Sequence, residues 1–324
     1  MKQMIIALFL AALCINFSGC AKDDKQQQAG KSDKENLTFA VGVEFFERPD
    51  GFQKLLETYD FQPNRGDIKK MSIGLTYKAL RSEQVDVAMG FATDGRIDAF
   101  GFIALDDNKQ FFPVYNPAPV VRKEIMDKHP EIRDALAPLT EKLTTEAMRK
   151  LNKQVDVEHK DAKEVALKWL KEEGLIGKQG KEKDNNGEEK PEIVVGGKNF
   201  TEQYILAEMA AALLEQAGYD VDLRTGVGSV IARKSLINDQ IDLYYEYTGT
   251  AYTVFHEQSD PAIMRDPAKV YDWVKETDED KGLMWLDRVD FNNTYTLLMR
   301  EKQAGQLGIK SISNLADYVG KQPE

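Results

Sequence analysis

The sequence predicts an α/β protein built from two similar lobes, on three observations. The run from Gln240 to Thr250 alternates Ile241, Leu243 and Tyr245 with Asp242, Tyr244 and Glu246, the period of a strand with one face more buried than the other. Residues 84–93 repeat that pattern without a gap against residues 240–249, so Phe91 and Tyr247 fall at the same offset at the ends of two strands. Between residues 192 and 250, apolar runs and helical repeats alternate in the order β-α-β-α-β, which implies a parallel sheet. Ligands of such sheets bind beyond the carboxyl ends of the strands. Two lobes that each offer an aromatic there predict a cleft with aromatic walls.

Composition bounds the function. The chain has 324 residues, enough for about two domains, and 42% of them are hydrophobic, enough to form a core. A net charge of −11 argues against a nucleic-acid partner, because neutralising phosphates needs basic surface, and it is compatible with a cationic ligand. Residues 1–19 read as a targeting segment: Lys2 is the positive region, residues 5–17 are apolar, and Ser18-Gly19 precede Cys20. That run is too short for a permanent membrane span. Phe17-Ser18-Gly19-Cys20 resembles a bacterial lipobox, with Phe17 where an aliphatic residue is usual. The resemblance implies an extracytoplasmic protein lipid-anchored to the membrane through Cys20; ordinary secretory cleavage is the alternative. Cys14 and Cys20 are the only cysteines; Cys14 would be removed with the targeting segment and Cys20 acylated, which leaves no thiol for a disulfide or a metal cluster. Residues 20–36 are polar without an apolar pattern and read as a tether.

From residue 37 the elements follow in order. Residues 37–43 read as a buried strand, and residues 44–51 as a loop, since Pro49 holds Arg48 extended. Asp50 can cap a helix that carries Phe52, Leu55 and Leu56 on one face. Residues 73–81 read as a helix leading to the strand at Val85, and residues 100–105 as a further strand. Three prolines exclude a helix over residues 111–119, which read as an aromatic-rich loop. Residues 123–175 are helical in pattern. Residues 177–190 (GKQGKEKDNNGEEK) break all periodicity and read as a linker. A fresh unit opens at Glu192 with the strand Ile193-Val194-Val195 and a loop in which Asn199 and Thr201 are candidate caps. A helix repeating Ile205, Met209 and Leu213 follows, with Gly218 as its stop. Val221 and Leu223 mark the next strand, Gly226-Val227-Gly228-Ser229 opens the helix before Gln240, residues 291–295 read as strand-like, and residues 312–319 as a last helix.

Enzyme chemistry has no signature here. His129, His159 and His256 are scattered without metal-ligand spacing, there is no G-x-S-x-G elbow or P-loop, and Gly226-Val227-Gly228 lacks the third glycine of a nucleotide fingerprint. Neither a cofactor nor a metal is expected.

Several separated motifs carry a family resemblance. Residues 196–203 (GGKNFTEQ) and 246–250 (EYTGT), together with 47–51 (ERPDG), 93–97 (TDGRI) and 115–122 (YNPAPVVR), are similar to the substrate-binding proteins of ABC importers for glycine betaine, choline and related quaternary amines. The resemblance covers residues 37–176 and 191–324. It implies a type II periplasmic-binding-protein-like fold, delivery of the ligand to permease subunits, and a role in osmoprotection. The motifs occur in reversed order relative to the family, which reads as a circular permutation in which the linker joins the former termini; a fragment of a tandem or truncated gene is the other reading. One lobe would then combine residues 37–92 with 293–324, and the other residues 93–176 with 191–292.

A quaternary ammonium donates no hydrogen bond, so it is held by charge and by aromatic faces. Matching to the family's motifs implies a box of Tyr247, Tyr295, Phe91 and Tyr115, with Phe91 where the family more often has tyrosine; the π face is kept and a hydroxyl lost. For a ligand carboxylate, the matching positions are Lys198, Arg48 and Thr250, and Asn293 adjoins the box. Simple packing of the rings, and an ion pair of Arg48 with Glu47 or Asp50, are the plainer readings of the same residues. A binding or sensor module for an amino acid or a polyamine is the second functional reading; a polyamine would call for carboxylates in the cleft.

Overall fold

The computed structural model describes residues 36–177 and 190–320; the targeting segment, Cys20, nearly all of the tether and residues 178–189 of the expected linker lie outside the described residues. Among the described residues, ten strands form two five-stranded sheets. In chain order they are β1 (Phe39–Gly42), β2 (Ile68–Met71), β3 (Val87–Phe91), β4 (Phe102–Ala104), β5 (Pro117–Arg122), β6 (Glu192–Lys198), β7 (Asp220–Val227), β8 (Leu243–Tyr247), β9 (Leu283–Trp285) and β10 (Tyr295–Arg300). The first sheet runs β2-β1-β3-β10-β4 and the second β7-β6-β8-β5-β9. In each, the first three strands are parallel and the fourth is antiparallel to both of its neighbours. The two-lobed α/β reading holds, and the repeated motif has a structural meaning: β3 and β8, the strands that end in Phe91 and Tyr247, occupy the same place in the two sheets.

The fourth strand of each sheet comes from the other half of the chain. β5 leaves the first lobe to enter the second sheet, and β10 returns to the first. The two crossing segments lie side by side. Tyr115 carbonyl accepts from Asn293 N–H at 3.0 Å, Asn292 Oδ1 accepts from Tyr115 N–H at 2.7 Å, and the Asn116 side-chain amide donates to Phe291 carbonyl at 2.7 Å. Because β4 pairs with β10, the first lobe extends past the expected boundary at residue 92, and the crossing lies between Leu105 and Pro117.

Each sheet buries both faces under helices, in keeping with parallel strands joined by helical crossovers. The second lobe packs Ile205, Met209 and Leu213 of the helix Thr201–Gln216 with Leu136 and Leu170 on one face, and Trp285, Tyr244 and Leu236 on the other. The first lobe does the same with Phe39, Phe52 and Leu55 against one face and Tyr77, Leu80 and Leu298 against the other.

Several local expectations change. β8 is buried along its whole length, including Tyr244 and Glu246, because helices cover both of its faces; its polar alternation marks hydrogen-bonded interior groups and not a solvent face. Residues 43–47 form a short helix, Val43–Glu47, ended at the extended Arg48 that Pro49 imposes. Asp50 does not cap the helix Phe52–Tyr59, whose cap position is Gly51; it is drawn away by Arg48. Neither Asn199 nor Thr201 caps the helix Thr201–Gln216: Phe200 holds the cap position, and Thr201 Oγ1 bonds Asp156 instead. The proline-rich stretch turns extended at Pro117, where the carbonyls of Pro117 and Pro119 accept from Val289 and Leu286 N–H, so the missing proline N–H groups fall on that side and leave the pairing with β8 intact. The strand expected over residues 291–295 starts only at Tyr295.

Candidate ligand-binding cleft

Between the lobes lies a cavity of about 460 Å³. Its walls are built from strand ends and crossing segments, which explains why residues far apart in sequence meet there. Phe91 ends β3, Tyr247 ends β8, Lys198 ends β6, Tyr295 starts β10 and pairs with Phe91 in register, and Tyr115 and Asn293 sit on the two crossing segments. Of the eight residues expected from sequence, Tyr247, Tyr295, Phe91, Tyr115, Lys198, Thr250 and Asn293 line this cavity, and Arg48 does not.

The rings form a continuous wall. Tyr115 meets Tyr295 edge-on at 5.3 Å between centroids, Tyr295 lies 5.1 Å from Phe91, Phe91 lies 5.2 Å from Phe200, and Phe200 lies 5.9 Å from Tyr247. Phe200 thus closes the wall between the two lobes, a role the sequence reading missed although the residue stands inside the GGKNFTEQ motif. Phe45, 4.7 Å from Tyr295, also lines the cavity, as does Glu44, whose carboxylate reaches to 3.5 Å from Ser229 N–H of the opposite lobe. The signal for both was the aromatic and acidic run at residues 44–47, read as a plain loop.

Two ion pairs set the electrostatics. Lys198 Nζ lies 2.5 Å from Glu246 Oε1, and both side chains are essentially inaccessible to solvent; Glu246 also accepts from Tyr244 at 2.7 Å. Arg48 grips Asp50 through both arms of its guanidinium, Nε to Oδ1 at 2.8 Å and a terminal nitrogen to Oδ2 at 2.6 Å. Its remaining donors reach Tyr295 Oη at 3.0 Å and Tyr115 Oη at 3.3 Å from behind the rings. Burial pulls the guanidinium down, but Tyr295, Tyr115 and Asp50 more than offset it and hold Arg48 above its ordinary value. Burial likewise pushes Asp50 up, and Arg48 and Thr253 overcome it, so the carboxyl stays below its usual range. The plainer reading of Arg48, a pair with Asp50, is therefore the one its side chain adopts, with the two tyrosine hydroxyls added.

Glu202, at the start of the helix behind Phe200, is fully buried and was not singled out from sequence. It accepts from Tyr247 Oη at 2.7 Å, Asn293 Nδ2 at 2.9 Å and Asn152 Nδ2 at 3.3 Å, and shares a hydrogen bond with Thr93 Oγ1 at 2.6 Å. Burial pushes its carboxyl up to about 7, against the pull of those four hydrogen bonds. With Lys198 and Arg48 each neutralised by a carboxylate, Glu44 stands at the cavity without a basic partner of its own among the residues described around it. An aromatic wall with acidic surroundings suits a cation that needs no hydrogen bond. Among the described residues, no group of three or more His, Cys, Asp or Glu side chains could hold a metal ion, and no helix is long and apolar enough to cross a membrane.

Comparison with known proteins agrees with this chemistry. The family described as the substrate binding domain of ABC-type glycine betaine transport systems matches residues 24–172 and 191–324. The chain is 41% identical over 151 residues to a glycine-betaine-binding protein of Pseudomonas aeruginosa, covering 47% of this chain and 48% of that one. It is 38% identical over 138 residues to the carnitine transport binding protein OpuCC of Listeria monocytogenes, covering 42% and 44% respectively. It is 35% identical over 161 residues to the ergothioneine transport permease/ergothioneine binding protein EgtU of Helicobacter pylori, covering 48% and 29%. The chain thus spans less than half the length of each of these relatives. The family match extends over most of the chain, and the protein belongs to the substrate-binding domain family of ABC-type glycine betaine transport systems.

Proposed function

We propose that the protein captures glycine betaine, choline or a related quaternary amine outside the cytoplasm, held to the membrane by lipid on Cys20, and delivers it to the permease of an ABC importer for osmoprotection. The observation that carries this reading is the unbroken wall of Tyr115, Tyr295, Phe91, Phe200 and Tyr247 in the cavity between the lobes. Each aromatic face contributes about 0.5–2 kcal/mol to a desolvated cation. Four faces supply roughly 2–8 kcal/mol, a large part of the roughly −8 kcal/mol of a micromolar complex. The mechanism is reversible binding with no bond made or broken, and lobe closure over the ligand is the expected motion.

At the other end of a betaine, Lys198 retains donors beyond the one facing Glu246, and Thr250 and Asn293 line the same cavity. Arg48 acts from behind, by fixing the hydroxyls of Tyr115 and Tyr295. The loss of a hydroxyl at Phe91 removes a polar handle and keeps the π face. Circular permutation accounts for the reversed motif order; the family match in two separated segments, and sheets that each draw strands from both segments, support it.

A thermal-shift panel of glycine betaine, choline, carnitine, ergothioneine, proline and spermidine tests the reading. A quaternary amine should raise the melting temperature while proline and spermidine do not. A shift with proline or spermidine alone would transfer the site to the amino-acid or polyamine class.

A further inference from the structure

The carboxyl of Glu202 ties the two lobes together behind the aromatic wall. Tyr247 and Asn152 reach it from the second lobe, Thr93 from the turn after β3, and Asn293 from the crossing segment that leads into β10. All four partners are neutral, and among the described residues no lysine or arginine hydrogen-bonds to Glu202. Charged groups share the adjoining polar chamber of about 130 Å³ with it: Asp94 and Arg96 from the turn after β3, and Asp156 from the helix Thr145–Asp156. Arg96 is taken up by Asp94, at 2.9 Å through Nε, and by Asp156 at 3.3 Å. Lys198, whose Nζ lies over the Tyr247 ring 5.1 Å from its centre, is held by Glu246.

Proton counting around Thr93 decides the state of this carboxyl. Thr93 Oγ1 lies 2.6 Å from Glu202 Oε2 and 2.8 Å from Asn293 Oδ1, two acceptors for a single hydroxyl proton. The Asn293 amide is oriented by its other end, since Nδ2 donates to Glu202 Oε1. Both oxygen contacts are hydrogen bonds only if Oε2 itself carries a proton: Oε2–H donates to Thr93, and Thr93 donates to Asn293 Oδ1. Oε1 then accepts from Tyr247 and Asn293. With the acid neutral, the contacts among Glu202, Thr93 and Asn293 all match a donor to an acceptor, and burial without a cationic partner acts in the same direction.

We propose that Glu202 holds a proton in the free protein and releases it when a cation settles on the aromatic wall, so that ligand capture and proton release are linked. The inference rests on the quaternary-amine reading of the cleft. Tyr247 contributes its ring to the wall and its hydroxyl to Glu202, so a fixed positive charge on that ring stands one side chain from the carboxyl and stabilises its ionised form. On binding, the Oε2–H bond breaks, the proton passes to a buffer base, and the Thr93 hydroxyl turns from Asn293 Oδ1 to Oε2. By reciprocity, lowering the pH weakens ligand binding.

Isothermal titration of the full chain with choline and with glycine betaine, in buffers of different ionisation enthalpy at pH 7, reads the number of protons released. About half a proton is expected for a group that titrates near that pH. Affinity should be about tenfold weaker at pH 6 than at pH 8. Glu202→Gln keeps a neutral donor opposite Thr93, so it should bind with no proton release, with a pH-independent affinity weaker than the wild type shows at pH 6. Should that variant not fold, infrared difference spectra of the wild type must show a protonated carboxyl band lost on ligand addition. Binding without buffer dependence, a Glu202→Gln protein that still releases protons, or an unchanged infrared carboxyl band each overturns the proposal. If neither cation binds at any pH, the reading of the cleft itself falls, and the proposal with it.

Discussion

Arg48 shows how far the chemistry of one residue can be moved by its neighbours. A planar guanidinium next to a ligand cleft suggests a fork for a ligand carboxylate. Here the fork is filled by Asp50, and the remaining donors hold the hydroxyls of Tyr295 and Tyr115. Arg48→Ala should therefore weaken choline and glycine betaine by similar factors, because it loosens two rings that both ligands use; a selective loss of betaine in calorimetry would return Arg48 to a direct contact. Tyr247 carries a simpler expectation. Replacing its ring with leucine removes one aromatic face worth about 0.5–2 kcal/mol, so affinity should fall about 2- to 30-fold for any quaternary amine.

At the scale of the element, the turn after β8 shows why backbone shape and ring placement are coupled. A Cβ on Gly249 would lie 2.8 Å from the Tyr115 ring and 2.7 Å from the Val114 carbonyl. Gly249→Ala should displace Tyr115 from the wall and lower affinity by about tenfold or more, on the scale of a lost interaction of roughly 1.4 kcal/mol, as a titration would show. A second element-level device ties the helix Pro267–Glu279 to the helix Ser229–Ile237 and to β9. Asp278, wholly buried, accepts from both terminal nitrogens of Arg233, from Trp285 Nε1 at 2.7 Å, and meets His256 Nε2 at 2.8 Å. Burial pushes this carboxyl up, but the hydrogen bonds from His256 and Arg233 and the Arg233 charge outweigh it, leaving it well below the usual carboxylate range. A depressed carboxyl stabilises the fold fully above its unfolded-state value and loses that contribution as pH falls through the folded-state value. Asp278→Ala, which strands Arg233 in the interior, should cost about 3–5 kcal/mol in denaturant unfolding near neutral pH. The difference between the two proteins should shrink only in strong acid.

For the whole molecule, the coupling of two lobes through one buried acid has a consequence for stability as well as for binding. Glu202 titrates near 7 in the folded protein against an ordinary value of 4.5, so folding takes up a proton between those limits. A raised carboxyl stabilises the fold below its unfolded-state value, and that contribution fades as pH rises through the folded-state value. The melting temperature of the wild type relative to Glu202→Gln should thus fall from pH 5 to pH 8; a constant difference would show that Glu202 is ionised throughout. The order of the halves makes a separate demand. Both sheets draw strands from both segments, and no strand pair requires the segments to follow each other in the present sequence. A chain with residues 190–320 placed before residues 36–177 should fold and bind the same amine within about threefold, since permutation is tolerated where termini can be joined at the surface. Failure to recover binding in the reordered chain would count against the permutation reading.

Local patterning was enough for much of this protein. The helices Ile73–Arg81 and Ile312–Val319 could be read to the residue, because their apolar spacing and their flanking polar residues agree. The paired strands that end in Phe91 and Tyr247 were legible for a similar reason: a repeat places like residues at like positions in two sheets. Distance in sequence hid the rest. The alternation in β8 predicts one face more buried than the other, and both are buried, because a strand cannot report which helices will cover it. The lobe boundary was missed because β4 joins the first sheet only through β10, nearly two hundred residues later. Phe200 and Glu202 look like ordinary helix-start residues until the first lobe brings Phe91 and Thr93, and the crossing segment Asn293, against them. The sequence by itself determined which residue types could hold a cation and on which strand ends they stand. Tertiary structure alone decided which of them face the cleft and which carboxyl is left there without a counter-charge, because burial and charge pairing are properties of neighbours in space and not of neighbours along the chain.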